Sequence, residues 1–328
     1  MRIRLLQTLR AHWFLTGILI VIPLGLFVPA TGLQIKAWRC DLWVVMTMMF
    51  LSGVTLATRD LVKQARNFTA IGFSFCIVYL LAPVLAFLFA HMFFPGDTGM
   101  LIGIMVLGAQ NSTLVSGFVL TGIAGGNAPL ALVITVFNSA TSMLMTPLIL
   151  SISLSLDSSI EFDALEMTLR IATVVLLPFG VGQIVRRIAL PWMERIKPIA
   201  SIVSQLCVLT LMLAGISQGS ARLLSAPLMI AKLVFALATL HLLLNLLAFQ
   251  LGRLARFDTP SRIAAGICSS QKSLPAGFYI ANNFFPSVPV AALPIVVYHV
   301  CQLIIDSLQA SWLVRHASQA ADAPESSV

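Results

Sequence analysis

Charged side chains are scarce in this chain. Only 10% of its 328 residues are charged and 59% are hydrophobic, whereas a soluble globular domain carries roughly 25% charged residues. Several stretches contain no charge at all, and each is long enough to cross a hydrocarbon core about 30 Å thick. The composition excludes a soluble globular domain and predicts a membrane protein.

Several chemical motifs are also missing. The five cysteines show no CxxC spacing and mostly fall within apolar runs, so they predict neither a disulfide framework nor a zinc site. No HExxH arrangement occurs, although that pattern is typical of metalloproteases. An intramembrane enzyme that uses His241, His299 and Asp306 is therefore the weaker of the alternatives to the function inferred below.

Ten membrane-spanning helices are predicted from the charge-free runs. Two long runs each hold two spans, divided at GIAGGNAP, which begins at Gly122, and at NNFFPSVP, which begins at Asn282. The N-terminal run is interpreted as an uncleaved first span because it is long and further spans follow. The predicted spans are 11–35, 42–58, 67–96, two within 98–156, 163–185, 198–221, 233–252 and two within 263–305.

The basic residues are distributed unevenly between the two sides of this predicted topology. With the N-terminus in the cytoplasm, 14 of the 20 Lys and Arg residues lie in cytoplasmic segments and 5 lie outside. Cationic residues resist translocation, so this asymmetry predicts that both termini are cytoplasmic. The net charge of +8 is explained by topology, and no nucleic-acid partner is expected.

A polar string occurs twice within the apolar sequence. QNSTLVSGFVL begins at Gln110 and QKSLPAGFYI begins at Gln271, which aligns Ser112 with Ser273 as well as the two glutamines. The separation is about half of the chain, so residues 1–161 and 162–316 are predicted to be two five-helix repeats. Because five is odd, the second repeat enters the membrane in the opposite sense, which makes the repeats inverted. Residues 317–328 are predicted to be a disordered cytoplasmic tail.

The repeated strings predict that the fourth and ninth spans are broken and cross each other. Pro275 removes a backbone donor and disfavours a helical conformation at Leu274. Unwound backbone in lipid costs several kcal/mol per unsatisfied group, so such a break requires protein or a water-filled cavity around it. Helix N-termini at the crossing would favour anions and helix C-termini would favour cations. The alternative is a pair of continuous helices whose polar residues bind neighbouring helices.

Lys272 is the only basic residue deep in a predicted span. An isolated charge at the bilayer centre costs at least about 2.5–3.5 kcal/mol on insertion scales. One hypothesis is that its ammonium takes the place of a metal cation at the crossing, or titrates during transport. The alternative is a structural lysine that reaches the membrane interface or a cluster of carbonyl groups.

A second polar group lies on the tenth predicted span. His299, Gln302 and Asp306 share one helical face, where they either partner Lys272, line a proton path or form a local hydrogen-bonded strut. His241 and Asn245 are expected to have a packing role. The polar residues of the fifth span are interpreted as contacts between helices, with the alternative that Thr135 and Asn138 face the first break. The candidate solute- or ion-binding residues are Gln110, Asn111, Ser112, Thr113, Ser116, Thr135, Asn138, Gln271, Lys272, Ser273, His299, Gln302 and Asp306.

The chain resembles the bile acid:sodium symporter superfamily, and in particular its SBF-like branch. The most specific segments are LTGIAGGNAPLALVITVFNSATSMLMTPL, from Leu120, and SSQKSLPAGFYIANNFFP, from Ser269. The resemblance implies an all-α integral membrane fold of ten helices in two inverted repeats, with a core domain that moves against a panel domain. It also implies transport of organic anions with sodium.

At the family's sodium sites the match is partial. Gln271 and Thr135 match a sodium-binding glutamine and threonine, but the family's glutamate falls at Ile267 and an asparagine falls at Lys272. We therefore expect a secondary-active transporter of a small organic anion in the bacterial inner membrane, coupled to sodium or protons. No cofactor is expected beyond a possible sodium ion. A membrane regulator of ion homeostasis that does not transport is the other alternative.

Overall fold

The computed structural model describes residues 13–56, 67–155 and 163–321. Within these ranges the chain forms thirteen helices and no strand. They are α1 (Trp13–Phe27), α2 (Pro29–Ala37), α3 (Cys40–Thr55), α4 (Phe68–Phe93), α5 (Thr98–Gly108), α6 (Leu114–Ile123), α7 (Ala128–Ser155), α8 (Ala164–Ile188), α9 (Leu190–Ser225), α10 (Pro227–Leu254), α11 (Thr259–Ser270), α12 (Leu274–Phe284) and, after a 3₁₀ turn at Pro289–Ala291, α13 (Ala292–Ala321).

Six of the described helices are long and apolar enough to cross a membrane, and a bent pair of helices makes a seventh candidate. Their outer surfaces carry large apolar side chains, among them Leu228 at 81% exposure and Ile188 at 80%. The interior holds amides, hydroxyls and ionisable groups. An apolar exterior around a polar interior is the arrangement that a lipid bilayer requires. The prediction of an all-α membrane protein is confirmed.

The first apolar run is not one straight span. α1 and α2 meet at 90°, because Pro29 follows Val28 and disfavours a helical conformation there. Val28 has a φ of −127° and a ψ of 58°. At the other end of the chain, the predicted disordered tail is helical as far as Ala321. Six of the basic residues used for the predicted orientation, Arg2, Arg4, Arg10, Arg59, Lys63 and Arg66, lie outside the described residues, as does the predicted repeat boundary at 161.

The two intrahelical prolines of α4 and α8 each follow a π-helical turn. Ile77–Leu81 precedes Pro83, and Ala172–Leu176 precedes Pro178. In each turn the chain widens so that the residue before the proline donates to the carbonyl five residues back, as Ala82 N does to Ile77 O. Prolines and π-turns are common causes of helix irregularity. Both prolines therefore lie next to an irregular turn of their helix.

The helices pack mainly as two groups. Helices α1, α2, α3, α8 and α9 form the first group, and α4–α7 with α10–α13 form the second. Within the first group α3 and α8 touch through glycines, since a Cβ added to Gly182 would lie 2.3 Å from the Phe50 carbonyl oxygen. Small residues at such contacts allow helix backbones to approach closely in membranes.

We expect Gly182→Ala to destabilise the protein, because the added methyl group meets backbone that cannot move aside. Overpacking of this kind costs about 1–3 kcal/mol. Gly180→Ala on the same helix is the matched control, since nothing lies within 4 Å of the position of its Cβ. Melting of the purified protein in detergent should show a lower midpoint for Gly182→Ala only. Equal midpoints for the two variants would contradict the close contact.

Candidate functional site at two interrupted helices

Two pairs of helices are interrupted at the repeated polar strings. α5 ends at Gly108 and α6 begins at Leu114, while α11 ends at Ser270 and α12 begins at Leu274. The two interruptions touch, because Ser273 N donates to Asn111 O at 2.9 Å. All residues of both connections, 109–113 and 271–273, are buried. The predicted interruptions are present, and the alternative of two continuous helices is wrong.

The carbonyl groups that α5 leaves without helical partners are bonded by side chains. Val106 O accepts from Gln110 Nε2 at 3.1 Å and Ala109 O accepts from Thr146 Oγ1 at 2.8 Å. Lys272 Nζ donates to Gly108 O at 3.1 Å and to Gln110 O at 2.9 Å. A helix leaves its last four carbonyls without intrahelical donors. The Lys272 ammonium therefore caps the negative end of the α5 dipole.

The third oxygen atom near Lys272 Nζ belongs to α4. Val78 O lies 3.5 Å from it. In a regular α-helix the donor to Val78 O would be Ala82 N, but the π-helical turn diverts Ala82 N to Ile77 O. The donor that a π-helix would offer is the nitrogen of Pro83, which carries no hydrogen. Pro83 and the π-turn thus leave Val78 O without a backbone donor, so this carbonyl is available to Lys272.

Lys272 lies 2% exposed among these three carbonyl groups. No acidic side chain is bonded to it among the described residues, so the predicted pairing with Asp306 is wrong. The carbonyl-cluster alternative describes its surroundings. The same ring of carbonyl oxygens is what a bound metal cation would coordinate, so the hypothesis that the ammonium replaces a cation remains a prediction.

Gln302 fixes the extended backbone at Lys272. Lys272 N donates to Gln302 Oε1 at 2.8 Å, and Gln302 Nε2 donates to Lys272 O at 3.1 Å. The second hydrogen of Gln302 Nε2 points to His299 Nδ1 at 2.9 Å. Because His299 Nδ1 accepts, its proton is on Nε2. The predicted polar face of α13 therefore stabilises the second interruption through the hydrogen bonds of Gln302 to the Lys272 backbone.

Asp306 is bonded to two other residues. Its Oδ1 lies 2.7 Å from His241 Nε2, and its Oδ2 accepts from Gln271 Nε2 at 2.7 Å. The other end of the Gln271 amide, Oε1, lies within hydrogen-bond distance of Thr113 Oγ1 and of Ser116 Oγ, the latter at 3.1 Å. The two hydroxyl oxygens also contact each other at 2.6 Å, so their two hydrogens are shared among three contacts. His241 Nδ1 also lies 3.2 Å from the Tyr298 hydroxyl oxygen, so the predicted packing role of His241, between α10 and α13, is exerted through hydrogen bonds. In the sequence, a histidine within an apolar span is a weak indication of such a polar contact. No sequence pattern identifies Asp306 as its partner.

The structure also gives the surroundings of Asn138, Thr135 and Ser112 among the candidate residues. Asn138 Nδ2 donates to Ser74 Oγ at 3.1 Å, so the alternative that Asn138 faces the first break is wrong. The α7 residue that does so is Ser139, whose Oγ accepts from Asn111 Nδ2 at 2.6 Å. Thr135 Oγ1 donates within its own helix to Leu132 O. Ser112 Oγ is buried without a partner among the described residues.

A cavity of about 460 Å³ lies between the two helix groups, beside the touching interruptions. Asn111 borders it, and the Asn111 Oδ1 atom has no hydrogen-bond partner among the described residues. The rest of its wall mixes apolar side chains with hydroxyl and amide groups. The polar side chains are Ser52, Thr55, Ser201, Ser204 and Gln205 from the first group, and Asn111, Thr113, Ser116, Ser139, Ser273, His299 and Ser307 from the second.

The electrostatics of the cavity favour a negatively charged solute. Thr113 and Ser273 stand at the N-termini of α6 and α12, both border the cavity, and neither helix has a side-chain cap. The positive ends of two helix dipoles therefore face the same space. Lys197 borders the cavity as well, and no described lining residue is acidic.

The model of the SBF-like CPA transporter family matches residues 12–315. The chain belongs to this family. The family comprises transporters, so membership argues against an enzyme and agrees with a multi-pass membrane protein. The segments around Gly122 and Gln271 predict the same branch.

This SBF-like chain is similar along its length to proteins from vertebrates and bacteria. It is 26% identical over 317 residues to sodium/bile acid cotransporter 7-A of Xenopus laevis, covering 93% of this chain and 92% of that protein. It is 26% identical to sodium/bile acid cotransporter 7 of Rattus norvegicus, covering 95% and 96%. An uncharacterized protein of Pseudomonas aeruginosa is 27% identical, covering 94% and 95%.

We expect Lys272→Met to lower the melting midpoint by roughly 5 °C or more, because buried carbonyls lose a charged donor. Each such loss costs about 1–3 kcal/mol, and one kcal/mol shifts the midpoint by about 2–4 °C in a protein of 150–250 residues. Lys232→Met is the control, since Lys232 is exposed over the Phe94 ring. Unchanged melting of Lys272→Met would show that the ammonium does not cap α5.

Proposed function

We propose that this protein is a secondary-active transporter of a small organic anion. Access to the cavity alternates as the two helix groups move relative to each other around the touching interruptions. The observation that carries the proposal is the joint position of the two uncapped N-termini of α6 and α12 at one cavity between the groups. Transporters with interrupted helices direct half-helix N-termini at anionic substrate groups near the midplane.

The helix inventory supports the ten-span architecture of the proposal. The seven candidate spans, the 16-residue helix α3 and the two interrupted pairs α5/α6 and α11/α12 together make ten. With five spans in each half, the halves are inverted relative to each other. The charge asymmetry favours cytoplasmic termini, and the proposed location is the bacterial inner membrane.

The size and polarity of the cavity support a solute with an apolar body and an anionic group. Its volume of about 460 Å³ lies within the usual range of about 300–1,000 Å³ for ligand pockets. Apolar side chains such as Met48, Met49 and Val208 line it together with the hydroxyl groups. Relatives named sodium/bile acid cotransporters make bile acids one class of anion to test, alongside smaller carboxylates.

The coupling ion of the proposed transport is sodium or a proton. A sodium site built on Gln271 and Thr135 has little support, because the amide oxygen of Gln271 already accepts from Thr113 and Ser116. Among the described residues, no three His, Cys, Asp or Glu side chains cluster as metal ligands. A sodium ion would have to displace Thr113 and Ser116 from Gln271.

Exchange in proteoliposomes tests the proposed function. A panel of labelled anions, including taurocholate and simple mono- and dicarboxylates, is offered to vesicles preloaded with the same unlabelled compound. We expect at least one anion to exchange, and Ser139→Ala to reduce that exchange several-fold because Asn111 loses its partner in the cavity wall. Thr141→Val on the same helix should leave exchange unchanged, since Thr141 Oγ1 donates to Phe137 O and Asn138 O of α7 and Thr141 is not among the residues that border the cavity.

Two outcomes of this experiment would contradict the proposal. If no anion of the panel exchanges through protein of proven folding, the regulator alternative is favoured. If neutral solutes exchange and anions do not, the assignment of the helix N-termini as anion sites is wrong. Removal of sodium, or collapse of the pH gradient, then identifies the coupling ion for any anion that exchanges.

A further inference from the structure

A histidine and an aspartate are paired in the interior of the second helix group. His241 on α10 and Asp306 on α13 are both fully buried, and His241 Nε2 lies 2.7 Å from Asp306 Oδ1. The other ring nitrogen, His241 Nδ1, lies 3.2 Å from the hydroxyl oxygen of Tyr298. Each nitrogen of the ring thus faces one oxygen atom, and the number of protons that they share can be counted.

The Tyr298 hydroxyl decides which atom donates to it. A phenol has one hydrogen, and Tyr298 gives it to Ser270 O at 2.6 Å, because a carbonyl oxygen only accepts. The Tyr298 oxygen can therefore only accept from His241, so His241 Nδ1 carries a hydrogen. With that hydrogen fixed, the contact between His241 Nε2 and Asp306 Oδ1 needs a second hydrogen, on one atom or the other.

Both arrangements of this second hydrogen satisfy every contact of the pair. In one, an imidazolium faces a carboxylate; in the other, a neutral imidazole accepts from a carboxylic acid. Both have a net charge of zero. Loss of that proton leaves the pair with a net charge of −1 and with one contact that has no hydrogen. Either His241 Nε2 and Asp306 Oδ1 then face each other as two acceptors, or His241 Nδ1 and the Tyr298 oxygen do. Unsatisfied polar groups and unpaired charges are costly in a buried site.

The geometry points to a buried proton-binding site formed by His241 and Asp306 and connected to the cavity through Gln271. The connection is continuous: Gln271 Nε2 donates to Asp306 Oδ2 at 2.7 Å, and Gln271 Oε1 accepts from Thr113 and Ser116, which border the cavity. The role of the site as the coupling site rests on the proposed function. The proton exchanges with water as H⁺, and the pair changes between net charges of −1 and zero.

Occupation of this site and of the cavity should influence each other. An anion in the cavity would draw the hydroxyl hydrogens of Thr113 and Ser116 away from Gln271 Oε1. The side-chain amide of Gln271 would then be free to rotate, and the hydrogen bond from Gln271 Nε2 to Asp306 Oδ2 would be weakened or lost. By thermodynamic linkage, protonation of the pair changes the affinity for the solute by the same factor as the solute changes the affinity for the proton.

Few other titratable groups surround the pair. Tyr298 and Cys301 lie beside it on α13, and Cys268 lies within electrostatic range of Asp306 on α11. Ordinary phenols and thiols release their protons near pH 10 and 8.5. His299 on α13 is directed to Gln302, and Lys272, next to Gln271, points to the carbonyls around the end of α5. Neither is bonded to His241 or Asp306.

The pH dependence of melting in detergent tests the site without any solute. An ordinary histidine in the unfolded chain loses its proton above about pH 6.5, whereas the folded pair keeps one. The folded state then binds more protons than the unfolded state, so its stability falls as pH rises above about 6.5. We expect the melting midpoint of the wild-type protein to fall between pH 6.5 and 8.5.

Asp306→Asn is the decisive variant because asparagine reproduces the protonated pair. Its Nδ2 donates to His241 Nε2, its Oδ1 accepts from Gln271, and His241 stays neutral. We expect this variant to melt like the wild type at pH 6.5 and to lose most of the fall toward pH 8.5. Asp258→Asn, at an exposed carboxyl before α11, should keep the wild-type profile.

Parallel profiles of the wild type and Asp306→Asn would overturn the proton site. If Asp306→Asn does not fold, the double substitution His241→Phe with Asp306→Leu replaces the pair by apolar side chains, a change that buried ion pairs often tolerate. The melting midpoint of that variant should likewise no longer fall between pH 6.5 and 8.5. If its midpoint falls as much as that of the wild type, the proton site is refuted. Failure of the anion exchange assay leaves this result intact, so the two proposals are judged separately.

Discussion

The structure depends on hydrogen bonding of backbone that is neither helical nor in contact with water. Interrupting two helices inside an apolar protein exposes carbonyl and amide groups that lipid cannot satisfy. Here the partners come from other helices: Thr146 from α7, Lys272 from the opposite interruption and Gln302 from α13. The interruptions also bond directly to each other through Ser273 and Asn111. Each interruption is stable only in the presence of the other.

Two ionisable clusters follow from this arrangement, and they lie on opposite sides of one short segment. Lys272 is directed to the carbonyl end of α5, while its neighbour Gln271 is directed to Asp306. The extended backbone at residues 271–273 sends the two side chains in different directions. A movement of residues 271–273 would therefore displace the Lys272 ammonium, the contact of Gln271 with the His241–Asp306 pair and the uncapped start of α12 at the same time.

The sequence predicted the features that composition and repetition determine, namely the interruptions, the turns near Gly122 and Asn282 and the burial of Lys272. It did not predict contacts that depend on helix rotation or irregular backbone. Asn138 and Ser139 are consecutive residues, which differ by a rotation of about 100° around the helix axis, and of these two only Ser139 bonds Asn111. The availability of Val78 O needs a π-turn that no periodicity reveals. The partners His241 and Asp306 are 65 residues apart, and the intervening segment includes an interruption whose geometry sets their register.

A covalently attached ammonium has a consequence for energy coupling. A dissociable metal ion at the end of α5 could enter from one side and leave on the other, and so contribute the energy of its gradient. Lys272 Nζ contacts the carbonyl groups at this end of α5 and cannot leave, so under the hypothesis that it replaces a metal ion it would provide local charge without the energy of a gradient. The resemblance to the symporter superfamily also places an apolar residue, Ile267, where its glutamate stands. A carboxylate is still present behind Gln271, supplied by α13 instead of α11 and paired with a histidine. In the proposed coupling site its dissociable partner is a proton, so the gradient that this site would use is the proton gradient.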